Sequence, residues 1–161
     1  METKIFVVGA SGSGKTTFAK QYSVEQSIQY IDRDLLYGQF SDNFKQLDIG
    51  SYLFLNSLPK SFICDGTVHN KELFKKYVEQ NNPQFIYTFC SDKNILIKRV
   101  LEKENKGCYH IPKDAILNEY IIHCIKYSLN KLQEISNDRI LYYDTCTNEY
   151  KDKKEAVIYI Q

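Results

Sequence analysis

A chain of 161 residues with a formal net charge of +1, 43% hydrophobic and 25% charged residues, has the size and make-up of one ordinary globular domain. That composition excludes an intrinsically disordered chain. No apolar run approaches the ~18–20 residues of a membrane span, and the near-neutral charge excludes a histone-like, strongly basic nucleic-acid binder. The five cysteines, Cys64, Cys90, Cys108, Cys124 and Cys146, include no Cys-x-x-Cys pair. Their spacing fits neither a zinc site nor a disulfide framework. The N-terminus runs directly into a predicted strand instead of a secretory leader, so the cysteines read as reduced thiols of a cytoplasmic protein. Lysines outnumber arginines 18 to 3, which leaves few guanidinium groups to clamp phosphates.

Taken in chain order, short apolar runs alternate with helical patterns. Residues 3–8 (TKIFVV) form a β-branched run typical of a buried strand. A glycine-rich turn over 9–14 leads into a helix from Lys15 to about Gln26. A short second strand is expected at 28–31 and a loop at 38–43. Phe44, Leu47, Tyr52, Leu55 and Leu58 recur at helical spacing until Pro59 stops them. A third strand is expected at 61–64, closed by Asp65-Gly66. Asn70 is placed to cap a helix over 71–80, and Asn81-Asn82-Pro83 ends it. A fourth strand over 84–90 precedes a helix capped by Ser91 and running to about Lys103. Pro112 fits the first position of a long helix to about Ile135. A fifth strand is expected at 139–143. The tail from 148 to 161 reads as a final helix, with 156–160 a possible strand. Strands alternating with helices give β-α-β crossovers, so the fold class is α/β with a five-stranded parallel sheet in a three-layer arrangement.

The sharpest signal is Gly9-Ala10-Ser11-Gly12-Ser13-Gly14-Lys15-Thr16, which fits G-x-x-x-x-G-K-[ST] at every fixed position. Glycines permit a tight loop whose N–H groups point inward at phosphate oxygens, and the following helix adds its positive end. Lys15 reaches the β- and γ-phosphates, while the Thr16 hydroxyl is placed to ligate Mg²⁺ and Thr17 lies beside it. Strand, loop and helix fall in the required order, so the pattern points to a nucleoside triphosphate, taken here as ATP.

Asp32, Arg33 and Asp34 follow the second strand. Ligands of open parallel sheets sit beyond the carboxyl ends of strands, so these residues share a crevice with the phosphate loop. A carboxylate there can take the proton of an attacking hydroxyl or order the water around Mg²⁺. Asp32 or Asp34 can also cap the next helix, and both roles can hold at once because caps and active sites share strand ends. Arg33 can pair with either neighbour or with a phosphate. Asp65, at the end of the third strand, fits a metal-water or substrate contact, although Asp-Gly is also a common turn. Lys98, Arg99, Lys103, Lys106 and Lys113 surround Gly107, a pattern suited to a basic lid over about 99–113 that excludes water and neutralises charge. A solvated helix face accounts for some of these lysines. His69 stands near the third-strand end, His110 at the rim of the lid and His123 on the long helix.

Four stretches together resemble the compact P-loop kinases typified by the kinase domain of phage and bacterial polynucleotide 5′-hydroxyl kinases. They are GASGSGKTTFAK (9–20), YIDRDLL (30–36), FICDGT (62–67) and KGCYHIPKDAILNEY (106–120). The resemblance spans about residues 3–145. It implies a sheet order of 2-3-1-4-5, ATP and Mg²⁺ as cofactors, and transfer of the γ-phosphate to a hydroxyl, with Asp34 as general base. Lys15 and Arg99 would serve catalysis, with Asp32, Arg33, Asp65, Thr67 and Lys106 on the substrate side. The implied acceptor is the 5′-hydroxyl of RNA or DNA. Two positions depart from the family pattern: Tyr37 stands where an arginine grips the acceptor's phosphate, and Lys106 stands for the lid arginine. Tyr37 would then contact a base or sugar. A small-molecule kinase acting on a nucleoside, nucleotide or other metabolite is the alternative. From other classes, a nucleotide-binding switch lacks a guanine-reading N-K-x-D, and an inert P-loop scaffold would not need the Lys15-Thr16 pair.

Overall fold

The computed structural model describes residues 1–40, 47–107 and 110–157. Its first strand, β1 (Lys4–Val8), leads to α1 (Lys15–Gln26), β2 (Gln29–Ile31), α2 (Arg33–Phe40) and α3 (Leu47–Ser57). Then come β3 (Phe62–Cys64), α4 (Lys71–Asn81), β4 (Gln84–Phe89), α5 (Lys93–Asn105) and α6 (Leu117–Ile135). The chain closes with β5 (Ile140–Asp144), β6 (Glu149–Lys151) and the short α7 (Lys153–Ala156). The strands form one sheet in the order β2-β3-β1-β4-β5-β6. The first five are parallel in the expected 2-3-1-4-5 order. A sixth strand adds antiparallel to β5, pairing Tyr143 with Tyr150.

Period-two alternation on a doubly covered sheet explains the core. On β1, Ile5 and Val7 join Ala19, Ile63 and Ile86 on the face beneath α1. Phe6 and Val8 point the other way, into the larger cluster beneath α4, α5 and α6. Phe6 is fully buried and meets Phe62 and Phe74 edge-on at 5.3 and 5.0 Å, a favoured aromatic geometry. The apolar stripe of α6 runs Ile121, Ile125, Leu129, Leu132, at the i+4 and i+3 steps that keep one face on the core.

Several local expectations are corrected. Residues 33–40 form a helix, with Gly38 inside it, where a loop was expected from 38; 41–46, including Phe44, lie outside the described residues. Asp92, not Ser91, caps α5, accepting from Asn94 N and Ile95 N. Asn70 does cap α4, accepting from Leu73 N at 3.0 Å. Pro112 does not open α6: the helix begins at Leu117, and the Pro112 carbonyl instead accepts from Ala115 N in a turn. The tail turns back as β6 before a short helix, and 158–161 lie outside the described residues.

The expectation of reduced thiols also fails at one pair. Cys90 and Cys146 form a disulfide, 56 positions apart in sequence. Parallel pairing of β4 with β5 sets Phe89 opposite Asp144, so the residues that follow these strands meet. Cys64 and Cys124 are free, and Cys108 lies outside the described residues.

Asp144 holds the same corner. It is fully buried, and its Oδ1 accepts from Ser91 N at 3.2 Å and from Cys146 N at 2.9 Å. Burial alone pushes the carboxyl up, but hydrogen bonds from Ser91, Cys146 and Thr147 outweigh it and hold the group below its ordinary range. A depressed native pKa adds stability above the unfolded value, ~3.9, and that stability is lost as pH falls through the native value. Asp144→Asn is therefore expected to lower the melting temperature at pH 7. The deficit against wild type should narrow on acidification below about pH 4, and thermal melts across that range check it.

Candidate functional site

The phosphate loop leaves the carboxyl end of β1 and is fixed from below by two strand ends. Ser13 is buried, and its Oγ lies 3.0 Å from Thr88 Oγ1 on β4. Thr145, just past β5, donates from Oγ1 to the Ser13 carbonyl at 2.7 Å and accepts from Arg99 Nη1 at 2.8 Å. Gly9 is required by close approach: a Cβ there would come within 2.5 Å of the Thr88 carbonyl oxygen. Gly14 has φ 90° and backs onto Thr145, whose Cγ2 would lie 2.9 Å from an added Cβ. Both conditions exclude a side chain. The first turn of α1 carries no acidic residue, so its positive end is left for an anion.

Two cavities flank Lys15. One, of about 510 Å³, is walled by Gly12, Gly14, Thr16 and Thr17 from the loop and by Arg99, Lys103 and Lys106 from α5 and its end. The other, of about 430 Å³, is walled by Gly9, Ser11, Arg33, Asp65 and Thr67 on the sheet side. Ala10 and Lys15 border both. The first cavity has the loop and the cations suited to a triphosphate. The second shares Lys15 and Ala10 with it and carries Arg33, Asp65 and Thr67 in place of those cations.

Lys15 Nζ donates to the Gly9 carbonyl at 2.7 Å. Burial, then repulsion from Lys103 and Arg33, pushes its pKa down to about 8, opposed by Asp65. Thr16 Oγ1 donates to Asp65 Oδ2 at 2.7 Å, and the Tyr30 hydroxyl donates to the same oxygen at 2.7 Å. Asp65 Oδ1 accepts from Arg33 N at 3.2 Å. A hydroxyl and a carboxylate in contact beside the phosphate loop form a hard-oxygen donor set, which fits Mg²⁺.

Asp32 turns out to be the N-cap of α2: its Oδ1 accepts from Leu35 N at 3.1 Å and its carbonyl from Leu36 N at 3.0 Å. Arg33 reaches across to β3's end, donating from Nη1 to the Thr67 carbonyl at 3.2 Å, while Nη2 pairs with Asp34 Oδ1 at 2.8 Å. The Asp34 side chain is 83% exposed and lines neither cavity. Among the described residues, Asp65 is the carboxylate lining the second cavity. Tyr37 is buried in the core, edge-on to His69 at 5.1 Å with its hydroxyl bonded to Ser51, so the expectation that it meets a substrate is corrected. Arg99 lies inside α5 and not on a loop, and it also donates to the Gly12 carbonyl at 3.3 Å. Lys106 is the C-cap of the same helix.

Sequence reasoning missed two features. Thr145 was legible only as a residue past a strand end on the carboxyl edge of the sheet. The other is one face of α6, where Tyr120, His123, Cys124, Tyr127, Ser128 and Lys131 line the second cavity. Their spacing is i, i+3, i+4, i+7, i+8, i+11, a helical stripe beside the apolar one.

No family model matches the sequence, and no curated protein matches it. Among solved structures the chain is similar to shikimate kinase from Bacteroides thetaiotaomicron, at 14% identity and a TM-score of 0.60, covering 100% of this chain and 96% of that one. It is also similar to shikimate kinase from Acinetobacter baumannii in complex with shikimate, at 12% identity and 0.63, covering 99% and 90%. A gluconokinase from Sinorhizobium meliloti aligns at 14% identity and 0.51, covering 99% and 91%. The likeness is one of fold: this chain has the α/β fold of these P-loop kinases. No helix among the described residues is long and apolar enough to cross a membrane.

The depressed Lys15 pKa carries a stability consequence. Below about pH 8 the folded protein holds a charged, partly desolvated lysine. That cost is relieved between about 8 and the unfolded value of ~10.4. Lys15→Met is expected to raise the melting temperature of the ligand-free protein at pH 7 by roughly 2–4 °C, the shift ~1 kcal/mol produces in a domain this size. The gain should vanish near pH 10.5, which melts at the two pH values check.

Proposed function

We propose that the protein is a single-domain ATP- and Mg²⁺-dependent kinase that transfers the γ-phosphoryl group to a hydroxyl of a small molecule. The observation that carries this reading is the pair of cavities bordering Lys15, one built around the phosphate loop and the other a metabolite-sized recess of about 430 Å³. The fold shared with shikimate kinase and gluconokinase structures supports it. A polynucleotide 5′ end has less support, because Tyr37, at the position where that family grips the acceptor's phosphate, is buried in the core.

In this mechanism the loop N–H groups of 9–16 and Lys15 hold the β- and γ-phosphates. Thr16, with Asp65 beside it, would hold Mg²⁺, which when bound neutralises charge on the phosphate oxygens. Arg99, Lys103 and Lys106 flank the triphosphate from α5 and screen the charge of the transition state. The acceptor hydroxyl lies on the Arg33–Asp65 side. Its oxygen forms the new bond to phosphorus as the bond from the γ-phosphorus to the bridging oxygen breaks, and ADP leaves. The hydroxyl proton passes to Asp34, whose carboxylate carries none of the bonds that engage Asp65 on the Thr16 side. Hydrogen bonds of this kind tighten only in the reacting complex, so Asp34 reaches the hydroxyl when the acceptor takes up Arg33.

The test is transfer of labelled γ-phosphate from ATP to a panel of shikimate, gluconate, nucleosides and 5′-hydroxyl oligonucleotides. Label is expected on a small molecule. Asp34→Asn should lower kcat by about 10²–10⁴-fold with ATP affinity unchanged. Asp65→Asn should instead weaken the Mg²⁺ dependence. Label confined to oligonucleotides would overturn the small-molecule acceptor, and an unchanged kcat in Asp34→Asn would remove Asp34 as the base.

A further inference from the structure

The Cys90–Cys146 bond lies behind the phosphate loop. Cys90 follows the last residue of β4, and Cys146 follows Thr145 at the end of β5. Thr145 donates to the Ser13 carbonyl, accepts from Arg99 and lines the first cavity with Gly14. Its backbone N donates at 2.8 Å to the carbonyl of Phe89, the residue before Cys90. Asp92, two residues past Cys90, caps α5, the helix that carries Arg99 and Lys103. The disulfide therefore cross-links the entry to α5 with the segment that holds the loop.

Three observations fit a bond that opens and closes. A domain of this size, with apolar clusters on both faces of its sheet, needs no covalent staple. Among the described residues Cys64 and Cys124 are free, and a disulfide in a chain that otherwise keeps thiols has the pattern of a transient, regulatory bond. The corner also accommodates both states. Cys90 is 2% exposed, whereas Cys146 is half-buried and so the more open to an attacking thiolate. The Cys90 sulfur lies 3.2 Å from the Asp92 carbonyl oxygen, so as a thiol it has an acceptor in place. Asp144 Oδ1 accepts from Ser91 N and Cys146 N without involving either sulfur, which keeps the corner folded when the bond opens.

We propose that the Cys90–Cys146 pair is a reversible redox switch on nucleotide binding. Oxidised, it holds Thr145 against the phosphate loop and the first cavity is preformed. Reduced, residues 145–146 lose that restraint and must be ordered when the triphosphate binds. A dithiol supplies the electrons. Its thiolate attacks Cys146 Sγ, a mixed disulfide forms as the bond to Cys90 breaks, and Cys90 leaves as a thiolate and takes up a proton. The second thiolate of the dithiol then closes on the first sulfur, releasing Cys146 as a thiol and the reagent as its disulfide. A disulfide oxidant reverses both steps. The proposal rests on the kinase reading and names a regulation of that site.

The test titrates Mg²⁺ and a non-hydrolysable ATP analogue calorimetrically against the full chain, oxidised with glutathione disulfide or reduced with dithiothreitol. Alkylation read by mass spectrometry follows Cys90 and Cys146, and labelled ATP with the acceptor panel follows transfer. Reduction is expected to weaken analogue binding by about 5–20-fold, the effect of one more residue ordered on binding. Glutathione disulfide should restore the affinity. Cys146→Ser and Cys90→Ala should bind as the reduced protein does in either condition. Reduction should lower the melting temperature by roughly 5–15 °C while unfolding stays cooperative. Equal affinity in the two states, a pair that stays oxidised in every glutathione mixture, or loss of the folded protein on reduction would overturn the switch. Redox-dependent binding without label transfer to any acceptor would leave the switch standing and count against the kinase reading. Equal affinity with transfer intact would do the reverse, and no binding in either state would overturn both.

Discussion

Thr145 touches the phosphate loop at the point on which the rest of the site depends. Its hydroxyl accepts from Arg99 and donates to the Ser13 carbonyl, and its methyl group lies against Gly14. One residue past β5 therefore binds the loop to α5 and to the sheet. Asp144 and the Cys90–Cys146 disulfide secure that residue from behind, by joining the ends of β4 and β5. Ser13 and Thr88 add a tie to β4. A loop whose N–H groups must face a triphosphate needs such restraint, because electrostatic preorganisation works only if donors do not have to reorient as charge develops.

Around this frame the charges are divided by position. Cations from α5 line one cavity, and cations from α2 and α6 the other, with Lys15 bordering both. Burial, and then repulsion from neighbouring cations, Arg33 among them, lowers the Lys15 and Lys131 pKa values. The ligand-free protein thus holds cations close together at a cost in stability, which anionic ligands relieve on binding. Asp65 is the exception, a carboxylate fixed by three donors between the loop and α2.

The strands, the phosphate loop and the α4 cap were legible because each rests on a local rule: buried β-branched runs, fixed glycine spacing, and Asn before a helix; the order of the strands came with the family resemblance instead. Where sequence reading failed, tertiary contacts decided. Asp32 reads as base, cap or both, and the cap becomes visible only in the bond from Leu35 N. Tyr37 aligns with a functional position but turns inward, because α2 continues through Gly38 and carries it against His69 and Ser51. Pro112 satisfies the rule for a helix start, yet the chain makes a turn there and defers α6 by five residues. The disulfide joins cysteines 56 positions apart, which no spacing rule links. The cavity-lining stripe of α6 mixes Tyr, His, Ser and Lys, so it passes for an ordinary polar face until the helix is set against the sheet.

The claim on which the account turns is that Lys15 divides a donor side from an acceptor side. Hydrogen exchange of the protein with Mg²⁺ and a non-hydrolysable ATP analogue tests it most directly. The account predicts slowed exchange in residues 9–17 and in the α5 segment 99–106, with the α6 segment 120–131 unaffected. Protection of 120–131 in place of 99–106 would put the nucleotide on the opposite side of Lys15 and contradict the account.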